Sequence, residues 1–302
     1  MAERHEGADW IAVDWGAEGF RAWAMSAGGE VLATAAGASG VTGPEAHEAA
    51  LLSVATPWLG PGRTPVVICG DAGGRGGWAE TPWRPVPCTP LAERTIPAPD
   101  GDPRLDVHLI PGIKQDNPAD FMRGEETRIA GFLSRDPAFD GVVCLPGLHT
   151  KWAHVSAGEI VSFQTFLSGE LAGLLVEHSS LRPSLAAMQD DADAFDTGVG
   201  DALSRPERLA AQLFALRAEE VLHDLHPAAA RGRLAGLLIG AELAAARPYW
   251  LGQRVAILGQ REAVRDYARA LASQGVPAET HDAEDMTLAG LARVRATLRA
   301  AG

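Results

Sequence analysis

The chain has 302 residues, 46% of them hydrophobic, and a formal net charge of -13. That length suggests two domains with a substantial core, and the acidic balance argues against nucleic acid or an anionic membrane as a main partner, though not against a small anion met by a few local cations. Three scattered cysteines, Cys69, Cys88 and Cys144, form no disulfide framework and fit a reducing cytosol; the charged start MAERHEGADW has no signal-peptide core and no run is apolar enough to span a bilayer, so a cytoplasmic protein is expected.

Residues 11–25, IAVDWGAEGFRAWAM, read as strand, tight turn, strand, with Asp14 at the mouth of the turn. Gly16 and Gly19 allow a sharp bend and leave backbone N–H groups for phosphate oxygens. Asp14 then sits where a phosphate-bound Mg²⁺ could be held, directly or through its waters; a plain hairpin with a solvated aspartate is the competing reading. A third strand follows over 30–35 and a helix over 44–59, with Pro44 near its start. PVVIC (65–69) reads as a strand buried on both faces. GDAGGRGGW (70–78) lacks the spacing and the following helix of a dinucleotide loop, and is read instead as a loop at the carboxyl end of a strand, where α/β proteins place ligands. The proline-rich stretch 81–100 is predicted to be a long surface excursion, and 107–112 another strand.

Asp120 or Asn117 is expected to cap a helix containing Arg123–Leu133. Helical spacing then sets Phe121, Glu125 and Ile129 near one side, with Met122, Glu126 and Ala130 beside them. Adjacent carboxylates at the head of an apolar face suit a general base if a substrate hydroxyl reaches them; acids stabilising a first helical turn would look the same. Asp136-Pro137 should end this helix.

The second half opens on GVVCLPG (141–147). LPGLHTKW (145–152) is a second glycine bend, bearing His149, Thr150 and Lys151, whose amides, hydroxyl and ammonium suit phosphate oxygens. KWAHVSAGEIVS (151–162) aligns without gaps with AWAMSAGGEVLA (22–33), matching Trp152 to Trp23, Gly158 to Gly29 and Glu159 to Glu30. One unit recurring half a chain apart points to duplicated halves, and two like domains would face each other across a ligand cleft. A helix over 166–178 precedes a helical insertion over about 180–230, within which the acidic run 190–196 reads as a solvated loop. In the apolar helix 233–249, Gly236 and Gly240 permit close approach of another helix. Strand 255–260, helix 262–273, strand 277–281 and helix 286–300 close the chain in βαβα order, hence an α/β second domain.

DWG near the N-terminus, MRGEET (122–127), PGLHTKW (146–152), GLLIGAE (236–242) and VAILG (255–259) together resemble the 2-dehydro-3-deoxygalactonokinase family, in the right order over about residues 9–299. That family belongs to the sugar kinase/actin/Hsp70 superfamily. The resemblance implies an α/β protein of two ribonuclease-H-like (actin-like ATPase) domains with an interdomain cleft. Residues 1–136 would carry the phosphate-1 loop and sugar-acid binding. Residues 137–302 would carry the phosphate-2 loop, adenosine binding and the helical insertion. The implied reaction is ATP- and Mg²⁺-dependent phosphorylation of 2-dehydro-3-deoxy-D-galactonate at O6, in galactonate catabolism.

By the same resemblance, the bend 14–19 with Gly16 and Gly19 is phosphate-1. Gly147, His149, Thr150 and Lys151 belong to phosphate-2, and Gly259 lies near the adenosine turn. Many relatives in the superfamily carry an aspartate at the start of phosphate-2; Leu145-Pro146-Gly147 has no carboxylate there, so the base must come from elsewhere. GEET is similar to the G-x-E-E-A helix of exopolyphosphatases, where a glutamate activates the nucleophile. This favours Glu125 or Glu126 over Asp14, with Glu125 first. Arg123 is preferred to Arg21 and Lys114 as partner of the sugar-acid carboxylate because a guanidinium grips it in bidentate fashion; Asn117 is a further substrate-binding candidate. A phosphoanhydride hydrolase of exopolyphosphatase type and a non-catalytic actin-like nucleotide-binding protein are the alternatives. A homodimer and the gluconate epimer as substrate stay open.

Overall fold

A computed structural model describes residues 7–301 except 18 and 39; the charged start at 1–6 lies outside the described residues. The chain divides into two compact units. One comprises the chain to Phe139, Ser156–Ser162 and the chain from Ala283; the other comprises Asp140–Val155 and Phe163–Asp282.

In the first unit, β1 (Trp10–Trp15), β2 (Gly19–Met25) and β3 (Val31–Ala38) form an antiparallel meander. Helix α1 (Pro44–Ala55) then leads back to β4 (Thr64–Gly70), which pairs with β1 in parallel. Alternation along β1 sends Ile11, Val13 and Trp15 to the core under Leu51 of α1, and Trp10 and Ala12 to the opposite face. The strand is buried on both faces because each face has its own cover.

The proline-rich stretch is stitched into sheets rather than looped out. β5 (Arg84–Pro85) joins β8 (Ile113–Asp116), β6 (Ile96–Pro97) joins β7 (Leu105–Leu109), and Cys88 bridges Ile160. Both strands of this stretch lie at sheet edges, where a missing N–H does no harm. The residues expected to cap a helix, Asn117 and Asp120, instead belong to the hairpin of β8 and β9 (Ala119–Met122). The residue before a proline avoids helical backbone, so Asn117-Pro118 favours a turn. Phe121 therefore lies on a strand, 60% exposed, and not beside Glu125 on a helix face. Helix α2 (Glu125–Arg135) begins only after Gly124. The first sheet runs β3-β2-β1-β4-β7-β6.

The second sheet holds β10 (Gly141–Leu145), β11 (Thr150–Ser156) and β12 (Glu159–Phe166). The helices α3 (Ser168–His178), α4 (Ala192–Ser204), α5 (Leu209–His223), α6 (Pro227–Ala245) and α7 (Arg247–Trp250) follow. Then come β13 (Val255–Gly259), α8 (Arg261–Ala272) and β14 (Ala278–Asp282). Its order, β12-β11-β10-β13-β14, repeats β3-β2-β1-β4-β7, and β10 pairs antiparallel with β11 and parallel with β13, and β13 parallel with β14, as their counterparts do. The acidic run 190–196 is not a solvated loop: Asp191 caps α4, accepting from the Ala194 N–H at 2.8 Å, and Asp193 stands in the first turn. Helices α4 and α6 cross at glycines. A Cβ at Gly240 would lie 2.7 Å from the Val199 carbonyl oxygen, and one at Gly236 would overlap that of Phe195.

The final helix α9 (Ala283–Ala301) belongs to the first unit. An undivided second domain over 137–302 is thus corrected, because Leu291 and Val294 of α9 are buried against Trp10, Ala12, Trp23 and Val67. Among the described residues no helix is long and apolar enough to cross a membrane.

Candidate active site

Asp14 is the penultimate residue of β1, opposite Arg21 on β2 and beside Cys69 on β4. The bend after it closes with the Gly16 N–H donating to the Gly19 carbonyl at 2.9 Å. Two further contacts orient the Asp14 carboxylate: Cys69 Sγ donates to Oδ1 at 3.5 Å, and Arg128 Nη2 lies 3.6 Å from Oδ2. Burial, then the Asp14 charge, pushes the Cys69 thiol well up, so it stays protonated and serves as a donor.

Strand β4 ends on Gly70, whose φ of 92° and closeness to the Trp15 carbonyl leave no room for a side chain. Gly124, at φ 113°, brings the head of α2 against this point. Its Cβ position is 3.3 Å from Gly70 Cα and 3.8 Å from Asp14 Oδ1. The structure thus gathers Asp14, Glu125, Glu126 and Arg128 at the carboxyl ends of two parallel strands, where open α/β sheets bind ligands. Arg128 was not among the residues singled out from sequence; a cation within one turn of two acids was the available signal.

The two glutamates differ. Glu126 is fully buried and accepts from the Gly124 N–H at 2.7 Å and the Thr127 hydroxyl at 2.9 Å. Burial, then the charge of Glu125, pushes its carboxyl up to about 7, against the pull of those hydrogen bonds. Glu125 is half-buried and accepts from the Arg123 N–H at 3.0 Å. Raised from 4.5 to about 7, Glu126 keeps a proton in the folded state that the unfolded chain has released. Stability must therefore fall as pH rises through that window, by on the order of 3 kcal/mol. Glu126→Gln, whose amide can donate to Thr127, is expected to flatten this slope in urea unfolding between pH 5 and pH 8; an unchanged slope would contradict the assignment.

The Arg123 guanidinium is 4.0 Å above the Trp83 ring and donates through Nη1 to the Gly73 carbonyl and the Thr81 hydroxyl. Arg21 pairs with Glu284, which also accepts from Trp23 Nε1 at 2.8 Å. Lys114 pairs with Asp116 at 2.8 Å, and Asn117 is exposed at the turn of the same β8–β9 hairpin. Among the described residues no cluster of three or more His, Cys, Asp or Glu side chains could hold a metal. A lone Asp14 carboxylate, 28% exposed, fits a Mg²⁺ ion that keeps its waters and arrives on nucleotide phosphates.

In the second unit, the bend between β10 and β11 exposes Gly147, Leu148 and His149. The start of α3 holds it from one side. The Glu170 N–H donates to the Leu148 carbonyl at 2.9 Å, Glu170 Oε2 is 2.7 Å from His149 Nε2, and Gly169 packs on the Gly147 carbonyl too closely for any Cβ. Gly259, at the end of β13, comes from the other side, its Cβ position 3.4 Å from Pro146 Cδ. Thr150 and Lys151 turn inward: the Thr150 hydroxyl is 2.9 Å from the Tyr267 hydroxyl, and Lys151, 4% exposed, donates to Thr165 Oγ1 at 2.9 Å. The bend therefore exposes Gly147, Leu148 and His149 rather than the hydroxyl and ammonium expected of it.

The family model described as 2-keto-3-deoxy-galactonokinase matches residues 14–294. "Probable 2-dehydro-3-deoxygalactonokinase DgoK1" of Rhizobium meliloti (strain 1021) is 34% identical over 303 residues, 93% of this chain and 95% of its own. The 2-dehydro-3-deoxygalactonokinase of Escherichia coli (strain K12) is 35% identical over 248 residues, 80% of this chain and 82% of its own. A crystal structure from Sinorhizobium meliloti, given the same kinase name, superposes with a TM-score of 0.84 at 33% identity, covering 97% of this chain and 99% of that one. A carbohydrate kinase from Novosphingobium aromaticivorans shares the fold, with a TM-score of 0.50 at 13% identity over 95% of this chain and 93% of its own. A family match over nearly the whole chain, joined to relatives at about a third identity over most of both lengths, leaves one conclusion: the chain belongs to the 2-keto-3-deoxy-galactonokinase family.

Proposed function

We propose that the protein is an ATP-dependent kinase that phosphorylates 2-dehydro-3-deoxy-D-galactonate at O6. Within this family, the observation that carries the reading is the head of α2, where Gly124, the residue before Glu125, packs against Gly70 and Asp14 at the ends of β1 and β4. Glu125 takes the hydroxyl proton, because it keeps exposed surface where Glu126 has none. Asp14, oriented by Arg128 and Cys69, holds Mg²⁺ through water. When bound, that ion neutralises charge developing on the transferred phosphoryl group.

The bend that opens at Gly16 and closes at Gly19 meets the phosphates in this reading, and in the second unit the Gly147–His149 bend and the Gly259 turn serve the nucleotide. Arg123 is the preferred partner of the sugar-acid carboxylate. Its own hydrogen-bond partners are uncharged, whereas Arg21 is already paired with Glu284 and Lys114 with Asp116. Asn117 and these two cations are secondary candidates. The free cysteines fit a cytoplasmic setting.

The test is release of ADP from ATP with 2-dehydro-3-deoxy sugar acids of galacto and gluco configuration. ADP that appears only with the acid, and phosphate found on its 6-hydroxyl, is the expected result. Phosphate release without the acid, or nucleotide binding with no turnover on either acid, would overturn the reading.

A further inference from the structure

Glu242, on α6, is 3% exposed, and four donors converge on its carboxylate. Trp152 Nε1 donates to Oε1 at 2.8 Å and the Tyr267 hydroxyl to Oε2 at 2.9 Å. The hydroxyls of Ser168 and Thr150 donate to it as well, and Thr150 Oγ1 is also 2.9 Å from the Tyr267 oxygen. None of the four is a cation. A buried carboxylate met only by neutral donors is an unfavourable way to join a helix to a sheet, since apolar side chains of like volume would do so without the desolvation.

The donors come from three elements. Thr150 and Trp152 lie on β11, Ser168 opens α3, and Tyr267 lies on α8. Two of them flank the exposed bend. Thr150 is the residue at which the bend ends. Ser168 begins the helix whose Gly169 abuts the Gly147 carbonyl and whose Glu170 N–H holds the Leu148 carbonyl. One carboxylate therefore grips the far end of the bend and the helix start that braces its middle.

We propose that Glu242 is a positioning residue for the nucleotide: by fixing Thr150 and Ser168 together it sets the N–H groups of Gly147, Leu148 and His149 in place for phosphate oxygens. This rests on reading the bend as a nucleotide-phosphate site. Glutamine at 242 keeps the shape but replaces one acceptor oxygen with a donor, so a donor among the four loses its partner. Tyr267→Phe removes one of the four donors, together with the hydroxyl that lies against Thr150, and leaves the other donors in place.

Affinity for Mg·ADP, measured by calorimetry, and KM for ATP and for the sugar acid are to be compared in wild type and both variants, with near-UV dichroism as a check of folding. Glu242→Gln is expected to weaken ADP affinity and raise KM for ATP by about tenfold, with KM for the sugar acid and kcat little changed. Tyr267→Phe should move the same two quantities by less. Unchanged ADP affinity in folded Glu242→Gln overturns the proposal, as does unchanged affinity in Tyr267→Phe should Glu242→Gln not fold. A uniform loss in kcat with ADP affinity intact also overturns it. Wild type that binds Mg·ADP but phosphorylates no sugar acid refutes the kinase reading alone, since ADP affinity still tests Glu242; wild type that binds no nucleotide refutes both.

Discussion

Glu125→Gln is expected to lower kcat by about 10²-fold or more while leaving ATP affinity nearly intact. Glutamine keeps the length of the side chain and an oxygen to accept from the Arg123 N–H, so the head of α2 should hold its place. What it cannot do is take a proton from the substrate hydroxyl. A 10²-fold loss corresponds to about 2.7 kcal/mol of transition-state stabilisation, more than a surface carboxylate contributes to folding through a helix dipole. The same change at Glu126 should spare most of the turnover and act on the pH dependence of stability, because that carboxylate is spent on Gly124 and Thr127 within the core. Asp14→Ala should go further than either and remove Mg²⁺-dependent activity, since it deletes the carboxylate near the end of β1 and strips Arg128 of its ion-pair partner. Steady-state kinetics of the three variants decide the assignment. Full turnover in Glu125→Gln with a collapse in Glu126→Gln would move the base by one residue.

Much of this site can be read in the sequence because its signals are local. Glycines at 16, 19 and 147 beside apolar runs announce two bends, and the match between 22–33 and 151–162 anticipates two sheets of one strand order. Long-range facts are less accessible. The Arg128–Asp14 contact joins residues far apart in sequence, and the apolar face of α9 shows that something covers Leu291 and Val294 without saying that it is the first sheet. Extending the α2 pattern back through Phe121 failed because Gly124 breaks the helix with a left-handed residue, a conformation the letter G allows but does not require. One error had a local remedy. Residues two apart on a strand share a face, so a buried Trp152 already implies an inward Thr150, and both reach Glu242.

Gly131→Ala and Gly173→Ala make the same chemical change in two helices, and they should shift stability in opposite directions. Alanine is the better helix former by about 1 kcal/mol. At Gly173, in the exposed middle of α3, a Cβ meets nothing within 4 Å, so that gain is realised and the urea midpoint rises. At Gly131 a Cβ would overlap the Met286 carbonyl and lie 2.8 Å from the Gly290 nitrogen, both on α9; Gly290 in turn abuts the Thr127 carbonyl of α2. Backbone is met on both sides, with no flexible side chain to yield, so the helices must part. The expected net destabilisation is about 1–3 kcal/mol after the propensity gain. Parting them also strains the Arg128–Thr287 contact and the Arg293 bond to the Ala130 carbonyl, which fix α2 along its length. Because Glu125 rides on the head of α2, Gly131→Ala should lose activity as well as stability, whereas Gly173→Ala should gain stability and keep its kcat. A rise in midpoint at both positions would mean that α2 and α9 are not locked at these glycines, and Glu125 would then need another anchor.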